Sequence, residues 1–131
     1  MQEIFDPIRK KYVPLTPEEK VRQTVIQYLI EEKKYPAGKI SVEEAFEWNR
    51  IKCRIDVMVY DSTFKPFMLI ECKAPDVKID QKVLDQAVKY NFYWNCPYIL
   101  LTNGQDWICA SVSKNKIQFL NNLPEYDSLS M

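Results

Sequence analysis

Asp56, Glu71 and Lys73 are the residues whose types and spacing could do chemistry together. Glu71 and Lys73 form an E-x-K pair where the apolar run Phe67, Met68, Leu69, Ile70 ends beside Ala74, Pro75 and Asp76. Side chains alternate faces along a strand, so Arg54, Asp56, Met58 and Tyr60 share one face, and Leu69, Glu71 and Lys73 share one face of the next strand. A hairpin connection over 61–66, centred between Thr63 and Phe64, sets Asp56 opposite Glu71 and Tyr60 opposite Phe67. The two carboxylates then stand about 5 Å apart at the backbone, unless a slip or bulge intervenes. Facing acids repel and are costly to bury. A divalent cation relieves them, or a basic neighbour such as Lys73 or Arg54. Mg2+, with Mn2+ as a substitute, takes oxygen ligands from one or two carboxylates, water and substrate phosphate. A lysine beside it orients a water or neutralises charge on a phosphodiester. An E-x-K pair is also common by chance, and a cross-strand salt bridge is the competing reading.

These residues need a sheet to hold them. Strands are expected over Ile40–Glu47, Cys53–Tyr60 and Phe67–Lys73, from their β-branched and aromatic content. A helix precedes them: Thr16 as N-cap, Pro17 in the first turn and Glu19 completing a capping box, running to about Lys34 with Val21, Val25, Tyr28 and Leu29 inward. A second helix spans about Gln81 to Tyr93, its inner face Val83, Leu84, Ala87, Val88 and Phe92 or a residue next to it. Pro97 ends it, strand Tyr98–Thr102 follows, and after the Asn103–Gly104 turn come Trp107–Val112 and Ile117–Leu120. The fold class is α/β, in the order α-β-β-β-α-β-β-β around a central mixed sheet. Residues 1–15 read as an N-terminal arm, 16–120 as the domain and 121–131 as a frayed tail. The basic run Arg9, Lys10 and Lys11 in the arm reads as solvated surface, with phosphate contact as the minority alternative.

Composition narrows the chemistry. The chain of 131 residues contains no histidine and two glycines, which removes His-based triads, HExxH zinc sites and Gly-rich phosphate loops. Cys53, Cys72, Cys96 and Cys109 form no CxxC pair and read as reduced, mostly buried thiols. Eighteen basic residues balance eighteen acidic ones, unlike the strongly basic balance of many autonomous nucleic-acid binders. No segment reaches the length of a membrane span and no signal-peptide pattern opens the chain, so the expected compartment is the cytoplasm.

Taken together, Arg54-Ile55-Asp56-Val57, MLIECKAP from Met68 to Pro75, DQAVKY from Asp85 to Tyr90 and LTNG from Leu101 to Gly104 resemble the restriction-endonuclease-like PD-(D/E)xK superfamily. More narrowly they are similar to the N-terminal nuclease domain of type I restriction enzyme R subunits. PEEKVRQ from Pro17 to Gln23, and Tyr35 with Pro36, fit as well, so the resemblance spans roughly residues 14 to 110. It implies a metal-dependent DNA endonuclease. Asp56, Glu71 and the carbonyl of Cys72 would ligate Mg2+, and Lys73 would position the attacking water. Gln86 and Tyr90 match a Q-x-x-x-Y element that orients the site or touches DNA. Core packing for Tyr90 and a solvated helix position for Gln86 stay open. Glu19 falls where relatives place a helix acid that supports the metal, and its capping role is the other explanation; Glu18 is a weaker candidate. Arg50, Lys52 and Arg54 at period two would line a phosphate backbone, or Asn49 and Arg50 are a turn and the rest a charged, solvated edge. R subunits carry a translocase motor, and this chain has no Walker motif. It is therefore a free-standing relative, a fragment or a domain recruited elsewhere, with a translocase or modification subunit as a possible partner. The opposing reading is an inactive module that keeps the fold for DNA binding or assembly.

Overall fold

The computed structural model describes residues 2–114 and 116–126. Strands β1 (Glu3–Asp6) and β2 (Lys11–Pro14) open the chain as a separate antiparallel hairpin. The arm expected over 1–15 is therefore built structure. Asp6 is fully buried, accepts from the amides of Ile8 and Arg9, and pairs with the Arg9 guanidinium. Helix α1 (Pro17–Glu31) follows, its Thr16 hydroxyl accepting from the Glu19 amide at 3.0 Å. The helix stops short of Lys34, because Lys34 turns left-handed and Tyr35 folds back to donate its amide to the Leu29 carbonyl. That return tucks the Tyr35 ring into the core against Phe67.

Six strands form the main sheet in sequence order: β3 (Ile40–Trp48), β4 (Ile51–Tyr60), β5 (Pro66–Cys72), β6 (Tyr98–Thr102), β7 (Trp107–Ser113) and β8 (Lys116–Leu120). Neighbours run antiparallel except β5 and β6, which are parallel and joined across the sheet by α2 (Gln81–Trp94). The mixed α/β architecture is the expected one, with the N-terminal hairpin added. Two apolar clusters sandwich the sheet. On one face Val21, Val25, Ile26 and Leu29 of α1 meet Val57, Val59, Met68, Ile70 and Leu100; on the other Ala87 of α2 meets Met58, Leu69, Ile99 and Leu101. The alternation of Ile99, Leu100 and Leu101 between the clusters is the period-two signature of a central strand covered on both sides.

Two inward assignments change. Tyr28 lies at the rim against Trp107, and Ile26 takes the buried position. Phe92 is exposed, and Asn91 is buried instead, its side chain bonding both the amide and the carbonyl of Cys96. Those two bonds close the helix where Asn95 turns left-handed. The described part of the tail is loop, as expected, but it is anchored rather than frayed: the Pro124 carbonyl accepts from the Tyr35 hydroxyl, and the Leu123 carbonyl from Lys33. Residues 127–131 lie outside the described residues. Among the described residues no helix is long and apolar enough to cross a membrane. The four cysteines are free, with Cys72, Cys96 and Cys109 buried.

Candidate active site

Strands β4 and β5 pair as the hairpin argument requires over Val57–Ile70, Met58–Leu69 and Val59–Met68. At the turn end a bulge shifts the register, so Tyr60 faces Pro66 rather than Phe67. At the other end the ladder stops one step before Asp56 and Glu71. Asp56 is also skipped on its other side: β3 and β4 pair at Val42–Val57 and at Glu44–Ile55, with Glu43 left-handed at φ 56° between them. The alternation of β4 breaks there, since Ile55 joins the cluster under α2 while Val57 joins the one under α1. Arg54, Asp56, Met58 and Tyr60 therefore do not share one face. The Asp56 carboxylate turns into the gap between β4 and β5 and accepts the Cys72 amide at 2.8 Å. A side chain thus replaces the missing rung of the ladder.

Glu71 lies on the α2 side of β5, as its alternation with Leu69 requires. It is buried, and among the described residues its Oε1 has no hydrogen-bond partner. Burial first, and the Asp56 charge second, push its carboxyl well above the usual carboxylate range; Lys73 opposes them. The facing pair expected from the register does not form, since the ladder ends at Val57–Ile70 and leaves both acids beyond it. The amide of Cys72 points to Asp56, and strand alternation sends its carbonyl out on the same side. Lys73 donates its amide to the Thr102 carbonyl at 2.9 Å. Asn103 pins the loop that follows, donating to the Val77 carbonyl at 2.8 Å. Among the described residues no carboxylate lies within ion-pair distance of the Lys73 ammonium. Nor does any group of three or more His, Cys, Asp or Glu side chains among them form a ready-made metal cage.

Helix α1 contributes more than the sequence suggested. Arg22, a buried cation, donates to Asp56 at 3.0 Å and to Glu19 at 2.9 Å, and reaches Glu43 at 3.4 Å. Burial works against its charge, yet Asp56, Glu19 and Glu43 hold its pKa above the usual value. Both Glu19 oxygens are committed, Oε1 to Arg9 and Arg22 and Oε2 to Gln23. The structure thus joins Glu19 to Asp56 through a guanidinium. Its side chain does not reach back to close a capping box, so only the Thr16 half of that box exists. Glu18 stands at the rim, where burial, and then Asp56, raise its carboxyl, while Arg22 and Lys73 oppose them. Arg9, read from sequence as solvated, pairs with Asp6, Glu19 and Glu43. Arg22 and Arg9 were missed. The available signal was Glu19 and Arg22 continuing, at helical spacing, the stripe that Ile26 and Leu29 complete.

Gln86 donates to the Tyr90 hydroxyl at 3.1 Å, and the Tyr90 ring packs edge-on against Phe46. Tyr90 is thus both packed and polar, and the Glu71 charge is among the causes raising its pKa, after burial and Cys53. Asn49 and Arg50, both left-handed, form the tight turn between β3 and β4. Only Lys52 and Arg54 remain on the strand; both are exposed, and Arg54 approaches Glu43 at 3.6 Å.

The sequence matches the family model for the type I restriction enzyme R protein N terminus over residues 17–124. The chain belongs to this family. Membership agrees with the resemblance read from MLIECKAP, DQAVKY and LTNG, and the matched span holds every site residue from Glu18 to Tyr90. Among solved structures, a fragment described as the HsdR subunit of a type I restriction enzyme from Vibrio vulnificus superposes with TM-score 0.67 at 18% identity, covering 88% of this chain and 25% of that one. A protein of the DUF820 group from Anabaena variabilis, described as a candidate nuclease, superposes with TM-score 0.50 at 11% identity, covering 86% and 74%. At these identities the likeness is one of fold. The chain spans a quarter of the HsdR fragment's length. No curated protein sequence matches.

Proposed function

We propose that this R-protein N-terminal domain hydrolyses DNA phosphodiesters with Mg2+, or Mn2+ in its place. The observation that carries the reading is Glu71 Oε1, buried with no hydrogen-bond partner among the described residues. An unsatisfied buried oxygen costs roughly 1–3 kcal/mol, and an all-oxygen donor set suits a hard cation. Asp56, Glu71 and the Cys72 carbonyl would hold the ion; with both Glu19 oxygens committed to Arg9, Arg22 and Gln23, Glu18 would be the helix acid that supports it. When bound, the ion supplies Lewis acidity at the phosphodiester and acidifies the attacking water. Lys73, free of competing carboxylates, orients that water and stabilises charge developing on the phosphate. The amide of Gln86 and the hydroxyl of Tyr90 position the substrate, and Lys52 and Arg54 contact its backbone. By analogy with the HsdR neighbour, a translocase or modification subunit would deliver DNA, which also accommodates the neutral net charge. Acting on DNA in such a system, the protein would work in the cytoplasm.

One observation favours an inactive module that binds or assembles: Asp56 is already satisfied by Arg22 and the Cys72 amide. The two readings part in plasmid cleavage with Mg2+ or Mn2+. The enzyme nicks or cuts, and Glu71→Gln and Lys73→Ala each lose about a hundredfold or more with unchanged circular dichroism. Equal cleavage by wild type and both variants, or none by wild type in either metal together with no metal-induced rise in melting temperature, refutes the assignment.

A further inference from the structure

The face of α2 away from the core meets the β3–β4 hairpin across a groove of about 410 Å3, within the roughly 300–1,000 Å3 of a pocket for one small ligand. Lys82, Gln86, Lys89 and Tyr90 line one wall at helical spacing, and Trp48 and Ile51 line the other. Lys82 and Lys89 are exposed, and no ion pair of either is found among the described residues. The acid between them, Asp85, accepts from Gln81. Ile51 is 62% exposed at the hairpin tip. The indole Nε1 of Trp48 is buried with no acceptor among the described residues. The groove lies on the α2 side of the sheet, the side of Leu69 and Glu71.

We propose that this groove binds single-stranded DNA, with Lys82 and Lys89 on consecutive phosphates and an unpaired base seated between Trp48 and Tyr90. The substrate class rests on the nuclease reading; the groove does not. Two aromatic rings and two exposed cations lining one groove match the stacking-plus-phosphate arrangement used for single strands. The bases of a duplex are stacked on one another and present only their edges, so they would leave the apolar wall of Ile51 and Trp48 uncovered.

Fluorescence anisotropy with a labelled oligothymidylate of about 20 nucleotides and its duplex counterpart, in EDTA, separates binding from cleavage. The full chain is expected to prefer the single strand. The double variant K82A/K89A should bind it about tenfold more weakly and flatten the slope of log Kd against log salt by about 1.4, roughly 0.7 for each lost phosphate contact. Lys116→Ala, on the opposite sheet edge, should change neither. Trp48→Leu should weaken binding while leaving the salt slope intact. Preference for duplex, or an unchanged salt slope in K82A/K89A, overturns the groove proposal. If K82A/K89A cleaves like wild type and Glu71→Gln does not, the groove is wrong and the nuclease stands. Single-strand binding that depends on these lysines without cleavage in any metal gives the converse.

Discussion

Replacing Arg22 by methionine keeps an unbranched side chain of similar reach and deletes only the guanidinium. The side chains it joins are scarcely in contact with water: Arg22 is 7% exposed, Glu19 9% and Asp56 15%. Removing one partner of a buried ion pair costs about 3–5 kcal/mol, because the abandoned charge stays buried. Glu19 keeps Arg9, and Glu43 is 37% exposed, so the low end applies, near 3 kcal/mol. For a domain of this size that lowers Tm by about 10 °C, a sizeable share of the roughly 5–15 kcal/mol that holds such a domain together. Urea melts of wild type, R22M, D56N and R22M/D56N complete a double-mutant cycle. Neutralising Asp56 in the R22M background should restore part of the loss, with a coupling of about 1.5–3 kcal/mol. A loss below about 0.5 kcal/mol in R22M, or strict additivity, would show that the guanidinium behaves as a solvated surface charge and would undo the account of Asp56.

Glu71 sets a pH dependence. Its folded pKa lies above its unfolded value, so it favours folding below the unfolded carboxylate range, and that contribution disappears as pH rises through the folded value. Mg2+ should therefore bind more tightly with rising pH and release up to about one proton, read by titration calorimetry in buffers of different ionisation enthalpy; Glu71→Gln should abolish the release. The two helix acids should separate, with Glu18→Gln weakening the Mg2+-induced thermal shift at nearly unchanged stability, and Glu19→Gln costing about 2 kcal/mol in urea melts with the shift retained. Equal behaviour of the pair would reverse their assignment. Asn91→Ala deletes both bonds that close α2 and should cost about 2–3 kcal/mol by chemical denaturation, whereas Phe92→Ala should fall within about 0.5 kcal/mol of wild type.

What the sequence made legible is what periodicity and turn chemistry encode. The β4–β5 register up to Val59–Met68, the span of β6 and the passage through α2 from the third main strand to the fourth all follow from alternation and chain connectivity. The failures share a cause, namely polar groups satisfied by unusual backbone. Glu43 and Phe64 are left-handed without being glycine, and each marks a place where a ladder is skipped or shifted; neither leaves a trace in hydrophobicity. The Asp61 carboxylate, accepting from Thr63 and Lys65 amides, draws the β4–β5 turn tight enough to set Tyr60 against Pro66. Asn91 displaced Phe92 from the interior because two hydrogen bonds to Cys96 outweigh one ring, and an apolar stripe cannot express that. Arg9 and Arg22 were hidden for the same reason. A basic residue reads as surface until the acids that surround it are brought from distant parts of the chain, here from β1, α1, β3 and β4.

The Asp56 carboxylate that substitutes for a rung between β4 and β5 also turns a single backbone proton into a gauge. The Cys72 amide is held by a group whose charge density any cation in the cleft must draw away. Its nitrogen resonance and its rate of exchange with solvent deuterium are therefore tied to electrostatic events in the cleft. Neighbouring amides of β5, bonded to main-chain carbonyls, have no such tie. One peak in a heteronuclear spectrum can thus follow, in real time and without a label, whatever enters between the two strands.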